Sequence, residues 1–256
     1  VKGVPASVPV LLYHHVNPHE GDLVTVTPDV FREQMAWLVA AGYESLSLGE
    51  LLAFMAGSLR LTRPAVVLTF DDGWLDNYQY AFPVLREFGL RGSFFLITAR
   101  TAAATAAHNS APGALPDHEG AKQAIRQGEA GRVVIGWETA REMHRSGLAG
   151  FYPHSHTHPR CADLPRDEVM HELLHSRALL AANLGVAADC FCWPYGSIPA
   201  EGESWGRDAG YTALLTTAAG VARPGGNPFA IPRLDPGTSV HSLREVLVGS
   251  GWAGPA

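Results

Sequence analysis

Short, almost wholly apolar runs recur along the chain, and between most of them apolar residues return every three or four positions. VPVLLY (8–13), bounded by Pro and His, reads as a buried strand. Residues 28–41 open on Pro-Asp and carry Val30, Phe31, Met35, Leu38 and Val39 at helical spacing. AVVLTF (65–70) is a second strand, followed by a helix over 76–88 marked by Tyr78, Phe82, Leu85 and Phe88, and by strand GSFFLI (92–97). A helix over 137–146 leads to a short strand ending in FYP. Then come a helix over 166–184, strand DCFCWP (189–194), a helix over 203–209 and strand TALLTT (212–217). FAIPRL (229–234) and a helix over 241–248 close the series.

Strands alternating with helices predict an α/β fold with a parallel sheet covered by helices. Their continuously apolar character fits burial on both faces. About seven such units predict a (β/α) barrel, incomplete or distorted. An open doubly wound sheet is the alternative, but no glycine-rich phosphate fingerprint follows the first strand. Residues 101–132 are rich in Ala and lack an apolar stripe; they read as a long loop with one loose helix. No internal repeat is visible, and residues 1–256 read as a single domain.

Composition narrows the partners. The chain is 46% hydrophobic and 17% charged, with a formal net charge of −6, which argues against nucleic acid or an anionic membrane. No apolar run reaches the roughly 18–20 residues of a membrane span. Three cysteines make no disulfide framework. Cys190 and Cys192 flank Phe191 on a strand, share one side, and read as small buried side chains.

Two stretches carry chemistry. Asp71 and Asp72 directly follow a strand, where active sites of parallel barrels lie, and Gly73 permits a sharp turn. Adjacent carboxylates repel unless a positive charge lies beside them. A metal ion answers that, and one aspartate suffices as ligand, leaving the other free as a base. A solvated turn would carry the same residues. FYPHSHTHPR (151–160) sets His154, His156 and His158 at alternate positions between two prolines. On a helical turn His154 and His158 would face one ion and His156 would point away; on an extended segment all three would share a face. Two imidazoles and one carboxylate leave coordination positions open and suit zinc, cobalt, nickel or iron.

TFDDG (69–73), HSHTH (154–158) and WPYG (193–196), in that order, resemble the first three motifs of the polysaccharide deacetylases, the NodB-homology group or carbohydrate esterase family four. The resemblance runs from about residue 8 to 245. It implies a barrel, often seven-stranded, and metal-dependent removal of acetyl groups from an N-acetylated polysaccharide. It also implies that Asp71 is the general base, that Asp72, His154 and His158 hold the metal, and that Tyr195 offers its backbone N–H to the oxyanion. VLLYHHV looks like the YH motif of the biofilm poly-N-acetylglucosamine deacetylases, which makes His14 the catalytic acid and His15 the less favoured neighbour. His241 in SVHSL matches poorly the histidine motif that other members carry near the C-terminus.

There are departures from the pattern. Cys192 or Trp193 stands where the third motif commonly begins with Arg, and Arg233, with Asp235 nearby, is the candidate for tuning the base. Trp74, Trp193 and Tyr195 are candidates to pack against sugar, with ordinary packing the alternative for Trp74. Trp137, Trp205 and Trp252 read as structural, and His108, His118, His171 and His175 as surface or helix-face residues. By the same resemblance the protein is expected to be extracytoplasmic, although no signal peptide precedes Val1. Chitin, peptidoglycan or acetylxylan are the alternative substrates, and an inactive sugar-binding module is the alternative of another class.

Overall fold

A computed structural model describes residues 6–107 and 114–249, so His108 and Trp252 lie outside the described residues. In chain order the elements are β1 Val8–Tyr13, β2 His15–Val16, β3 Thr25–Val26, α1 Pro28–Ala40, β4 Glu44–Ser45, α2 Leu48–Met55 and β5 Ala65–Phe70. A π-helical turn Asn77–Ala81 leads into α3 Phe82–Phe88, then β6 Gly92–Leu96, α4 Thr98–Ala106, α5 His118–Arg126, α6 Trp137–Arg145 and β7 Ala149–Pro153. The rest comprises α7 Arg166–Leu184, β8 Cys190–Cys192, α8 Gly202–Asp208, β9 Ala213–Ala219, β10 Val221–Ala222, β11 Ile231–Arg233 and α9 Val240–Gly249.

Seven of these strands stand side by side in chain order and run parallel. Ladders join β1 to β5, β5 to β6, β6 to β7, β8 to β9 and β9 to β11. A parallel bridge between Leu11 and Leu234 ties β11 back to β1. Among the described residues no ladder joins β7 to β8. A side-chain hydrogen bond crosses the gap, from His154 Nδ1 to the Cys192 carbonyl at 2.8 Å. The architecture is therefore the incomplete (β/α) barrel expected from the alternation of elements.

Alternation along each strand divides the core in two. Val66, Leu68, Phe70, Phe94 and Phe151 face the helices, packing with Phe31, Met35 and Leu85. The alternate positions Val8, Val10, Val67, Phe95, Cys190, Cys192, Ala213, Leu215 and Ile231 fill the barrel, with Leu48, Leu51 and Phe54 of α2 against them. Read one step further, that inward parity delivers His14, Asp71, His154, Cys192 and Arg233 to the C-terminal mouth.

The structure differs from the sequence reading among its helices. Helix α2 was not predicted, although Ser47 and Glu50 form a capping box around its first turn. The described residues of 101–132 are not a long loop with one loose helix: α4 ends within them and α5 is wholly inside them. Ala104, Ala121, Ala124 and Ala130 pack with Val133 and Val134 around Trp74. Alanine faces let helices approach closely without a wide apolar stripe, which is why no stripe was legible.

Candidate active site

The strand β5 ends at Phe70 and hands the chain to Asp71, whose N–H donates to the Tyr13 carbonyl at 3.0 Å. Asp72 and Gly73 then both turn left-handed, at φ 71° and 69°. An aspartate accepts that conformation more readily than most residues. A Cβ at Gly73 would stand 2.7 Å from Leu96 Cδ2, so space as well as φ favours glycine there. This double turn sends the two carboxylates in different directions.

Asp71 points into the barrel and meets Arg233, which is 2% exposed. The guanidinium donates from Nη1 to Oδ1 and from Nη2 to Oδ2, both at 2.8 Å. Its remaining donors reach the Thr216 carbonyl at 2.9 Å and Thr69 Oγ1 at 3.2 Å, and Nη2 lies 3.0 Å from Cys192 Sγ. Burial alone would raise the Asp71 carboxyl, but the Arg233 charge, with His154, the Arg233 hydrogen bonds and His14, holds it down at about 2. Cys192 Sγ is 3.6 Å from Asp71 Oδ2. Burial pushes that thiol well above its ordinary range, so it stays protonated. Asp235, expected near Arg233, instead accepts the Gly237 N–H at 2.8 Å in an exposed turn.

Asp72 turns toward the histidine loop. Its Oδ1 lies 3.5 Å from His154 Nε2 and 3.1 Å from His158 Nε2. Its Oδ2 accepts Trp74 Nε1–H at 3.1 Å. Burial opposes ionisation of Asp72, yet His158, His14 and His154 hold its carboxyl well below the usual range. One ligand atom from each of Asp72, His154 and His158 lies within 4.8 Å of the others. Asp72 Oδ1 is buried and accepts no hydrogen bond of good geometry. An ionised oxygen left orphaned between two ring nitrogens is what a cation would satisfy, so the donor set fits a divalent ion.

The loop is neither the helical turn nor the extended segment considered above. Ser155 and His158 adopt φ 64° and 70°, and this irregular path brings the His154 and His158 rings to 5.0 Å. His154 Nδ1–H donates to the Cys192 carbonyl, leaving Nε2 unprotonated toward Asp72. Burial, opposed by Asp71, brings the His154 imidazole down to about 4, so it is neutral at ordinary pH. Glu172 of α7, which sequence reasoning missed, braces the loop. Its Oε2 accepts the His156 and Thr157 N–H groups at 2.7 and 2.8 Å, and its Oε1 accepts the Thr157 hydroxyl at 2.6 Å.

His14 is half-buried at the end of β1, on the parity of Val8 and Val10, and its field reaches both aspartates. His15 takes the other parity. It is 1% exposed, sits 2.5 Å from Asp76 Oδ2 and 3.0 Å from His118, and stacks on Trp74 at 4.3 Å. His241 lies on α9 with its side chain 81% exposed, beside Glu245.

Two aromatic expectations are corrected. Trp74 and Trp193 are each 1% exposed. Trp74 lies under the α4–α5 layer, and Trp193 packs on Phe191 on the helix side of β8. Neither presents a ring to a glycan. Tyr195 is 60% exposed, with its ring 4.4 Å from His158 and its backbone at φ 57°.

A paired aspartate–arginine thus lies beside a carboxylate-and-two-imidazole set at the C-terminal mouth of a parallel barrel, the end where barrel active sites lie. The comparisons give the family. The polysaccharide deacetylase model matches residues 59–214, and the chain belongs to that family. It is 37% identical over 78 residues to the poly-beta-1,6-N-acetyl-D-glucosamine N-deacetylase of Escherichia coli (strain K12), covering 30% of this chain and 12% of that protein. The chain spans no more than 33% of the length of the curated relatives it matches. Two solved structures share the fold. The Streptococcus pyogenes deacetylase PplD, in complex with acetate, has a TM-score of 0.77 at 22% identity, covering 94% of this chain and 98% of that one. IcaB from Ammonifex degensii has a TM-score of 0.76 at 24% identity, covering 96% and 98%.

Proposed function

We propose that this chain is a metal-dependent N-deacetylase, one domain throughout, that removes acetyl groups from extracytoplasmic poly-β-1,6-N-acetylglucosamine or a related N-acetylated glycan. The observation that carries the reading is the convergence of Asp72, His154 and His158 within 4.8 Å, beside an Asp71 clamped by Arg233. The kinship with the E. coli poly-beta-1,6-N-acetyl-D-glucosamine N-deacetylase supports the substrate class. In this reading Asp72, His154 and His158 hold one divalent ion, and the mixed N/O donor set favours zinc, with cobalt, nickel or iron as alternatives. Bound there, the ion supplies Lewis acidity toward the acetyl carbonyl and the attacking water.

The chain's own groups do the rest. Asp71, kept ionised and aimed by the two Arg233 hydrogen bonds, accepts a proton from the water as it attacks the acetyl carbon. The backbone N–H of Tyr195 serves the oxygen on which negative charge develops, and removing one such donor typically costs about 2.7–4 kcal/mol of barrier stabilisation. His14, across the mouth, gives a proton to the sugar nitrogen, the C–N bond breaks, and acetate and a free amine leave. The exposed Tyr195 ring offers the sugar an apolar face.

Acetate release from poly-β-1,6-N-acetylglucosamine, chitin, peptidoglycan and acetylxylan, with metal content measured on the same preparations, tests the reading. The first polymer is expected to be the best substrate. Asp71→Asn is expected to abolish turnover while the ion at Asp72, His154 and His158 stays bound. Turnover that survives complete removal of metal would overturn the mechanism, and a preference for acetylxylan would replace an amide substrate by an ester.

A further inference from the structure

We propose that His156, His171 and His175 form a second site for a divalent transition-metal ion, on the outer side of the histidine loop and separate from Asp72, His154 and His158. The deacetylase reading gives no work to these three imidazoles, yet the fold gathers them. His171 and His175 are one turn apart on α7, exposed, with rings nearly parallel at 13° and centroids 5.1 Å apart. His156 comes from the loop, its ring 4.4 Å from His175 and 6.1 Å from His171.

The ring centroids stand at the separations a shared ion needs. With metal–nitrogen bonds of about 2.0–2.1 Å and tetrahedral angles, neighbouring imidazole centroids lie about 5 Å apart. The three observed separations bracket that distance. The ring nitrogens do not converge as the rings stand, because the His171 and His175 planes are stacked and nearly parallel, so binding requires the exposed α7 rings to rotate toward His156.

Ligand orientation and charge agree. His156 Nδ1 is engaged by Thr98 Oγ1 at 3.0 Å, which anchors the ring and leaves Nε2 as the ligand atom. Asp167, Glu168 and Glu172 line a cleft with His171, so the surroundings attract a cation. Glu172 is occupied by the loop's backbone donors and contributes charge rather than a ligand bond. Three imidazoles with open positions select zinc, nickel, copper or cobalt over magnesium or calcium.

Metal-free protein titrated with Ni²⁺ and, separately, Zn²⁺ by equilibrium dialysis tests the site without reference to activity. Wild type is expected to take up about two equivalents, and His171→Ala/His175→Ala about one, with the lost equivalent restored by neither ion. His158→Ala should lose the other equivalent and keep this one. Both altered α7 side chains are exposed, so the double variant should melt at the wild-type temperature, which is measured alongside. An unchanged stoichiometry in the double variant overturns the proposal. If wild type binds a single ion, the variant that abolishes it decides: loss in the α7 double variant upholds this site and sinks the inner one, and loss in His158→Ala does the reverse.

Discussion

Replacing Arg233 by Met should damage stability and catalysis in a linked, measurable way. The guanidinium is buried and makes two hydrogen bonds to Asp71 and two to Thr216 and Thr69. An Asp71 carboxyl carried from 3.8 to about 2 is stabilised in its ionised form by about 2 kcal/mol relative to water, after the opposing effect of burial. Without Arg233, burial dominates and the carboxyl rises above its ordinary value. The loss is therefore larger than that figure, about 3–5 kcal/mol, the usual cost of stripping one partner from a buried ion pair. The pH dependence has a definite sign. Asp71 is depressed in the folded state, so its contribution is complete above about pH 4 and is lost as pH falls toward about 2. Urea unfolding of wild type and Arg233→Met at pH 7 and pH 3 measures both effects, and the acid limb of kcat/KM against pH should move upward in the variant. Asp71→Asn/Arg233→Met should recover part of the lost stability, because no buried charge is then stranded. A loss below about 1 kcal/mol in Arg233→Met, together with an unmoved acid limb, would refute the reasoning.

Two further substitutions probe the supports of the inner donor set. Trp74→Phe keeps an aromatic ring against His15 but removes the N–H that meets Asp72 Oδ2 at 3.1 Å. Ion affinity, read by competition with a chelating dye, should fall by about 10–100-fold, and an unchanged affinity would rule out that contact as a determinant. Glu172→Ala strips three hydrogen bonds from the histidine loop and should weaken ion uptake, whereas Glu172→Gln can still accept the two backbone N–H groups and should restore much of it. Equal affinities in Glu172→Ala and wild type would show that the loop holds its shape without this brace.

Much of the fold and the composition of the candidate site was legible because both follow from period. Strands buried on two faces announce themselves as apolar runs, and chain order then fixes their neighbours in a parallel barrel. Inward parity at a strand's end is also readable. His14 follows Leu12, Asp71 follows Thr69, and Arg233 follows Ile231, each two residues on. Cys192 obeys the same rule: it is buried, as its reading as a small packed side chain expects, and it lies 3.6 Å from Asp71. Glu172 left no signal, because a single acid on a 19-residue helix looks like any solvated residue until the loop it braces is seen.

The misjudged Trp74 and the misjudged histidine loop have one physical origin. Parity holds only while the backbone stays extended, and four of the five described non-glycine residues with positive φ, namely Asp72, Ser155, His158 and Tyr195, sit at this site. Trp74 follows Asp72 and Gly73, so counting forward from β5 says nothing about where its ring goes. His158 follows the Ser155 reversal, so neither a helical nor an extended template describes its approach to His154. Trp193 is the instructive contrast. It keeps the outward parity of Phe191 and could have been assigned to the helix layer by counting alone. Left-handed turns at side-chain-bearing residues are unfavourable in isolation and persist where surrounding contacts over-determine them, here the Trp74 indole on Asp72, the Glu172 carboxylate under the loop and the Ser155 hydroxyl on the His158 N–H. Local sequence reasoning therefore fails where the fold sets aside regular backbone geometry to aim a carboxylate and two imidazoles at one another.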